Sequence, residues 1–284
     1  MRADLHVHSS ASDGTDPPAE VMRRAARAGL DVVALTDHDT VAGHAEARRA
    51  GAPTLLPGME LSCRLDGPLR GGLGGSSPRG QQSLHMLAYL FDPGHPGLAA
   101  ELGLIRDDRV RRARAMVDRL AELGVAISWD QVAAIAGPAV VGRPHIARAM
   151  AASGAIAAPH EAFTRDWIGD GGRAYVGRYA LDPVRAIGLV RDAGGVTVLA
   201  HPRAGRPVPD GEIGRLAAAG LAGLEVFHPD QEGTERAGLL ALARDLGLVA
   251  TGGSDDHGSL TGHRIGCETI QAEAYQALLA RIPG

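Results

Sequence analysis

Hydrophobic positions along the chain follow two regimes. From residue 3 to about 95, and again from 179 onward, short apolar runs alternate with stretches of helical period. That rhythm predicts strands joined by helices, hence an α/β fold built on a parallel sheet. Strands are expected around Leu5 and Val7, at Asp31 to Leu35, and at Thr54 to Leu56 continuing through Gly58 to Arg64. Others follow at Leu84 to Phe91, Val196 to Ala200, Gly223 to Phe227 and Val249 to Gly253. Helices are expected at Ala19 to Ala28, Val41 to Ala50, Pro183 to about Gly194, Asp210 to Ala219 and Glu232 to Leu246. Asp16 with Pro17 reads as a helix cap and first position, and Gly29 as the stop.

Between about 96 and 178 the strand signal vanishes. Leu98 to Leu123 is one long amphipathic stretch, in which Arg106 to Arg114 reads as a solvated face with internal ion pairs. Arg143 and Pro144 open a further helix, and Pro159 to Ile168 another. The expectation is a helical cap, residues 96–178, inserted into a barrel made of residues 1–95 and 179–284. Asp66 to Ser83, rich in Gly, Ser and Pro, predicts a mobile loop between neighbouring strands.

Composition narrows the function. A net charge of −4 provides no basic field for duplex nucleic acid. No apolar stretch is long enough to span a membrane, and no secretory signal opens the chain, so a cytoplasmic protein is expected. Two cysteines, Cys63 and Cys267, leave no disulfide framework and no thiolate zinc site, and Cys63 reads as a packing residue. All 29 basic residues are arginine, which removes Schiff-base lysines and the lysine of a phosphate-binding P-loop.

The chemistry-bearing residues are distinguished by position. His6 and His8 are two apart on a strand, so they face one side together, with Asp13 five residues on. His38, Glu60, His201, His228, Asp255 and His257 all fall within or just after the C-terminal part of an expected strand. In a parallel α/β barrel those ends converge on one face, where sites are built. Six of the twelve histidines and three acids fit one cluster. Imidazole and carboxylate ligands without thiolate suit Mn, Fe or Zn.

These segments resemble the polymerase and histidinol phosphatase (PHP) family of metallophosphoesterases. The matching stretches are Asp4-Leu5-His6-Val7-His8, Ser12-Asp13-Gly14, Leu35-Thr36-Asp37-His38-Asp39, Gly58-Met59-Glu60, His85, Ala200-His201-Pro202 and Gly253-Ser254-Asp255-Asp256-His257. The resemblance implies a distorted seven-stranded (β/α) barrel holding two to three divalent ions. It implies His6, His8, Glu60 and Asp255 as ligands of the first ion, and Glu60, His85 and His201 of the second, with Glu60 as the bridge. Asp13, His38 and His257 would bind the third, where the family often has histidine in place of Asp13. Related amidohydrolases bridge two metals with a carboxylated lysine. This chain has none, which favours phosphoester chemistry.

Three divalent ions would bring six positive charges, and Asp13, Glu60, Asp255 and one bridging hydroxide would remove four. The remainder of about two suits a phosphomonoester dianion, with the hydroxide as nucleophile. His228 is expected to contact phosphate or donate a proton, and Arg143, Arg178 and Arg203 to bind substrate. The chain most resembles the stand-alone members that act on nucleotides. That implies removal of the 3′-phosphate of nucleoside 3′,5′-bisphosphates, with 5′-to-3′ trimming of short RNA as a second activity. A histidinol-phosphate-type phosphatase and a non-catalytic metal-binding regulatory module are the alternatives. Aromatic content of 3% argues against long single strands held by stacking, and the oligomeric state stays open.

Overall fold

The computed structural model describes residues 1–65, 82–179 and 181–283. Seven strands follow one another around a nearly closed barrel in sequence order. They are β1 (Ala3–Val7), β2 (Val32–Leu35), β3 (Thr54–Leu65), β4 (Gln82–Tyr89), β5 (Val196–Leu199), β6 (Gly223–Phe227) and β7 (Val249–Gly252). The seam between β7 and β1 is held where Asp255 N–H donates to His6 O at 2.8 Å and His8 N–H to Asp256 O at 2.9 Å. Helices α1 (Pro18–Arg27), α2 (His44–Arg49), α6 (Pro183–Asp192), α7 (Asp210–Ala218) and α8 (Gly233–Asp245) supply crossovers. Helices α3 (Pro96–Glu122), α4 (Trp129–Ala136) and α5 (Arg143–Ala152) form the insert, and α9 (Ala272–Leu279) ends the chain. No helix among the described residues is long and apolar enough to cross a membrane.

The all-parallel expectation fails at one strand. β4 runs antiparallel to both β3 and β5. Its register with β3 runs from Gly58 opposite Tyr89 to Leu65 opposite Gln82, so it lies beside the preceding strand in the opposite direction. Gln82 and Ser83, expected in the loop, already belong to β4; the rest of that loop lies outside the described residues. β3 is also longer than a barrel strand requires. Thr54 to Pro57 pair with β2, and Gly58 to Leu65 run on beside β4.

Apolar side chains from all around the barrel fill its inside: Leu5, Ala34, Leu56, Tyr89, Val198 and Val249 among them. Leu278 of α9 joins this cluster, a helix that the strand–helix rhythm did not predict. An outer layer packs α3, α6, α7 and α8 on the strands through Leu98, Ile105, Ile187, Leu216 and Leu239, and includes buried Cys63. The insert has a cluster of its own, with Met116, Leu120, Val132, Ile146 and Ile168. Helix α3 is thus shared: its first turns pack on the barrel and its later turns on the insert.

Local signals account for several element ends. The Asp182 carboxylate accepts from Val184 and Arg185 N–H at 2.9 and 3.0 Å and so caps α6. Ser128 and Gln131 form a reciprocal capping box at α4. Helix α1 departs from expectation, since Pro17 is its cap residue and Asp16 instead pairs with Arg24 at 2.5 Å. The pairing of β1 with β2 slips between Asp4 and Val7, and Leu5 and Val7 pack into separate clusters.

Asp4 stitches the seam. It is fully buried and accepts from Ser254 N–H at 2.9 Å, Gly266 N–H at 2.8 Å and His6 N–H at 3.3 Å. Asn at this position has one acceptor oxygen and would turn an NH2 group towards a backbone N–H. Asp4→Asn is expected to destabilise the fold by ~1–3 kcal/mol in denaturant titration. An unchanged midpoint would show that the seam does not depend on this carboxylate.

Candidate metal centre

The barrel mouth gathers the polar residues that the strands carry. Glu60 lies where β2 ends and β3 runs on, bridged in register to His38. Its carboxylate is 1% exposed, yet five imidazoles reach it. His6 Nε2, His8 Nε2 and His38 Nδ1 stand 3.2, 3.0 and 3.2 Å from Oε2. His85 Nδ1 and His201 Nε2 stand 2.7 and 3.2 Å from Oε1. The reversal of β4 explains His85. On an antiparallel strand the early residues lie at the mouth, so His85 sits opposite Ser62 although it is not near a strand end.

Three groupings emerge. His6, His8, Glu60 and Asp255 form one, the set expected for the first ion. His6 and His8 Nε2 are 3.1 Å apart, and each stands 3.4 or 3.3 Å from Asp255 Oδ1. A tetrahedral site with bonds of ~2.0–2.1 Å puts neighbouring ligand atoms ~3.3–3.4 Å apart, close to these separations. A second grouping is His38, Glu60 and His85, with His201 beside the same carboxylate oxygen. A third is His8, Asp13, His38 and His257, where Asp13 lies 3.3 Å from His257 Nε2 and 3.6 Å from His38 Nε2. All nine expected ligands therefore meet, and His8 and His38 each present one ring nitrogen to either side.

Charge and burial fit a cation. Buried Nδ1 atoms of His8, His38 and His85 have no hydrogen-bond partner. His38 and His85 approach Glu60 closely but off the hydrogen-bonding direction, as ligand atoms around a shared ion do. Burial raises Glu60, but His38, His85 and His6 outweigh it and hold the carboxyl well below its usual range. Burial pushes His38 down to about 3. Burial likewise opposes charge on His8, but hydrogen bonds to Asp255 and Glu60 bring it up to about 10. His6 is also raised, by Glu225, Asp255 and Glu60 against its burial. The His6 and His8 Nε2 atoms face each other, so they can hold at most one proton between them.

Loops deliver the remaining groups. Asp37 accepts from Ser9 N–H and Oγ–H and from Ser12 Oγ–H at 2.7–2.8 Å, which shapes the turn that carries Asp13. Gly14 in that turn is required, because a Cβ there would lie 2.9 Å from the His8 backbone. Gly253 is required beside His6, where a Cβ would lie 2.5 Å from its N and Cβ. His201 and Asp255 adopt positive φ of 28° and 48°, uncommon for residues other than glycine.

The expected substrate contacts separate. His228 is 1% exposed; its Nδ1 accepts from Asp230 N–H at 3.1 Å, so its Nε2–H is directed at Asp255 Oδ2, 3.3 Å away. Arg203 donates to Val208 O and to Asp210 at the start of α7. Arg178 donates to Cys63 O at 2.9 Å and to Ser83, beside β3 and β4. Arg143 pairs with Asp170 at 2.8 Å.

Two arginines of α3 join them. Arg109 donates to Asp39 at 2.8 Å and to Ser62 Oγ at 2.7 Å, and Arg112 donates to Val176 O at 2.7 Å. This corrects the reading of 106–114 as a solvated face. Arg111 does pair with Asp108, but helical spacing puts Arg109 and Arg112 on the side of Ile105 and Met116, turned inward. Glu225 was missed altogether. It is buried in β6 and bonded to His6 and His201, and its signal was a single acid inside the apolar run Gly223 to Phe227.

Comparison with known proteins shows the family. The PHP domain model matches residues 4–88. The chain is 34% identical to a 3′,5′-nucleoside bisphosphate phosphatase of Chromobacterium violaceum, over 98% of this chain and 97% of that protein. It is 33% identical to a 5′-3′ exoribonuclease of Haemophilus influenzae, over 89% of each. A phosphoribosyl 1,2-cyclic phosphate 1,2-diphosphodiesterase of Eggerthella lenta is 32% identical over 91% of this chain and 95% of its own. Among solved structures, a Bifidobacterium adolescentis protein provisionally described as a metal-dependent phosphoesterase superposes with a TM-score of 0.88 at 32% identity, covering 99% of this chain and 96% of that one. The nine expected ligands thus sit in a fold shared over its whole length with phosphoester-cleaving relatives, and the chain belongs to the PHP-domain family of phosphoester hydrolases.

Proposed function

We propose that this protein is a phosphatase of nucleotides that removes the 3′-phosphate of nucleoside 3′,5′-bisphosphates, with 5′-to-3′ trimming of short RNA as a second activity. The observation that carries the reading is the pairing of a metal-type cluster with a separate arginine wall. His6, His8, Glu60 and Asp255 would hold one divalent ion, Glu60 would bridge to a second with His85 and His201, and Asp13, His38 and His257 suit a third. Mn, Fe or Zn suits this donor set. Such ions would polarise the phosphoryl oxygens and ionise a water near neutral pH.

The chain's own groups supply the rest. His228 holds Asp255 in place through its Nε2–H. Arg109 and Arg178 contact Ser62 and Ser83, next to Glu60 and His85 along β3 and β4. Arg112 and Arg143 stand near the Tyr175 ring, at 5.4 and 5.9 Å. The charges act on one another: burial and then Arg143 bring Arg112 down to about 9, and burial and then Arg109 bring Arg178 down to about 10. A crowd of cations beside a phosphoryl-transfer centre suits the second phosphate of a bisphosphate. The insert 96–178 that carries these four arginines acts in this reading as the cap over the nucleotide. The names of the Chromobacterium violaceum and Haemophilus influenzae relatives point to the same substrates.

Three outcomes are expected. Glu60→Gln should lower phosphate release from adenosine 3′,5′-bisphosphate by on the order of 10³-fold and strip metal measured by elemental analysis; an active, metal-free variant would end the reading. Arg143→Ala should raise KM for the 3′,5′-bisphosphate by ~10–100-fold while leaving a nucleoside 3′-monophosphate nearly unaffected. Equal effects on both, or faster turnover of histidinol phosphate, would favour another substrate. Because imidazole ligands must shed protons, metal binding should release protons and weaken as pH falls below the range set by His8, which is raised to about 10. Calorimetry in two buffers of different ionisation enthalpy reads that release.

A further inference from the structure

Glu225 sits in the middle of β6 and is fully buried. A carboxylate so placed must find partners for its oxygens. Oε1 accepts Nδ1–H of His6 at 3.0 Å, and Oε2 accepts the backbone N–H of His201 at 2.7 Å. Neither partner belongs to β6. One comes from β1, on the far side of β7, and the other follows β5. We propose that Glu225 is the positioning residue of the metal centre, one carboxylate that fixes the ring tautomer of His6 and the backbone turn of His201 together. The inference rests on the metal-centre reading above.

The tautomer follows from donors and acceptors. An ionised carboxylate offers only lone pairs, so the proton it shares with His6 belongs to Nδ1. Nε2 then keeps its lone pair, and Nε2 is the atom that faces His8, Glu60 and Asp255. The turn follows from the second bond. His201 has φ of 28°, a conformation that side chains other than glycine rarely adopt. Its N–H is held by Glu225, and the same turn carries its Nε2 to within 3.2 Å of Glu60 Oε1. The backbone behind Glu225 is itself braced, since Gln231 Nε2 donates to Glu225 O and Val226 O at 3.2 and 3.0 Å.

Glutamine cannot do both tasks. With its oxygen towards His6, its NH2 group meets the N–H of His201. With its NH2 towards His6, the ring must turn a lone pair to it and place a proton on Nε2, among the expected ligands. Either arrangement weakens metal binding while the residue keeps its size.

The test is calorimetric titration of metal-free wild-type and E225Q protein with Zn²⁺, with circular dichroism to check that both are folded. E225Q is expected to bind ~10–100-fold more weakly. Affinities within about two-fold of each other, with wild type binding normally, would overturn the inference and leave the metal-centre reading standing. A wild type that binds no metal would remove both. A second measurement needs no variant: two-bond ¹H–¹⁵N correlations on the Zn²⁺-loaded wild type. The expected pattern for His6 is a slowly exchanging Nδ1–H with Nε2 coordinated, a signature that packing alone does not set. A protonated Nε2 would refute the role even if E225Q fails to fold.

Discussion

One buried carboxylate sets the terms for the rest of this molecule. Glu60 is 1% exposed, and an isolated charge at that depth would cost far more than the net stability of a domain. It can be buried only if partners reach it from all sides. They come from the end of β1 and the residue just beyond it, from just beyond β2, from β4 and from just beyond β5: His6, His8, His38, His85 and His201. In an open sheet β1 and β5 would lie about 19 Å apart, at ~4.8 Å per strand. Closure of the barrel is therefore a condition of the site, and Asp255 and Asp256 help to make that closure where β7 meets β1. The reversed β4 meets the same condition, because only that direction brings a residue early in the strand to the mouth.

What could be read from the chain in advance follows from this geometry. The strand-end rule found His38, His201, Asp255 and His257, because a parallel barrel gathers such positions whatever the details of packing. It could not find His85, which lies early on the reversed strand, or Asp13, which sits in a loop shaped by Asp37 and two serines. His85 depended on the family resemblance, and Asp13 was singled out only by its distance of five residues from His8. Glu225 stayed hidden for a different reason. It lies inside a strand, where attention falls on apolar neighbours such as Leu224 and Val226. Yet a lone acid in a buried strand is informative by itself, because it cannot stay there without donors. The arginines of α3 were misread because charge alone suggested solvent, while the helical period put Arg109 and Arg112 beside Ile105 and Met116.

The lack of lysine has a physical consequence at the wall these arginines build. Burial and mutual repulsion lower Arg112 to about 9 and Arg178 to about 10, which still leaves both charged at neutral pH. A lysine starts near 10.4, and a drop of about three units would bring it close to 7, where half its charge is lost. Guanidinium groups thus keep a closely packed cationic surface charged where ammonium groups would not. They also need fixed acceptors for their several donors, and the structure supplies Asp39 and Ser62 to Arg109, Val176 O to Arg112, and Cys63 O and Ser83 to Arg178. Those contacts hold positive charge beside the mouth without handing it to Glu60 or Asp255, whose lone pairs are directed at the imidazoles. Two separate centres of positive potential, one from the arginines and one from the ions the nine ligands suit, favour an anion with two charged ends over a simple monoester. The requirement of a rigid, permanently charged wall next to a proton-exchanging cluster is what the arginine-only composition satisfies.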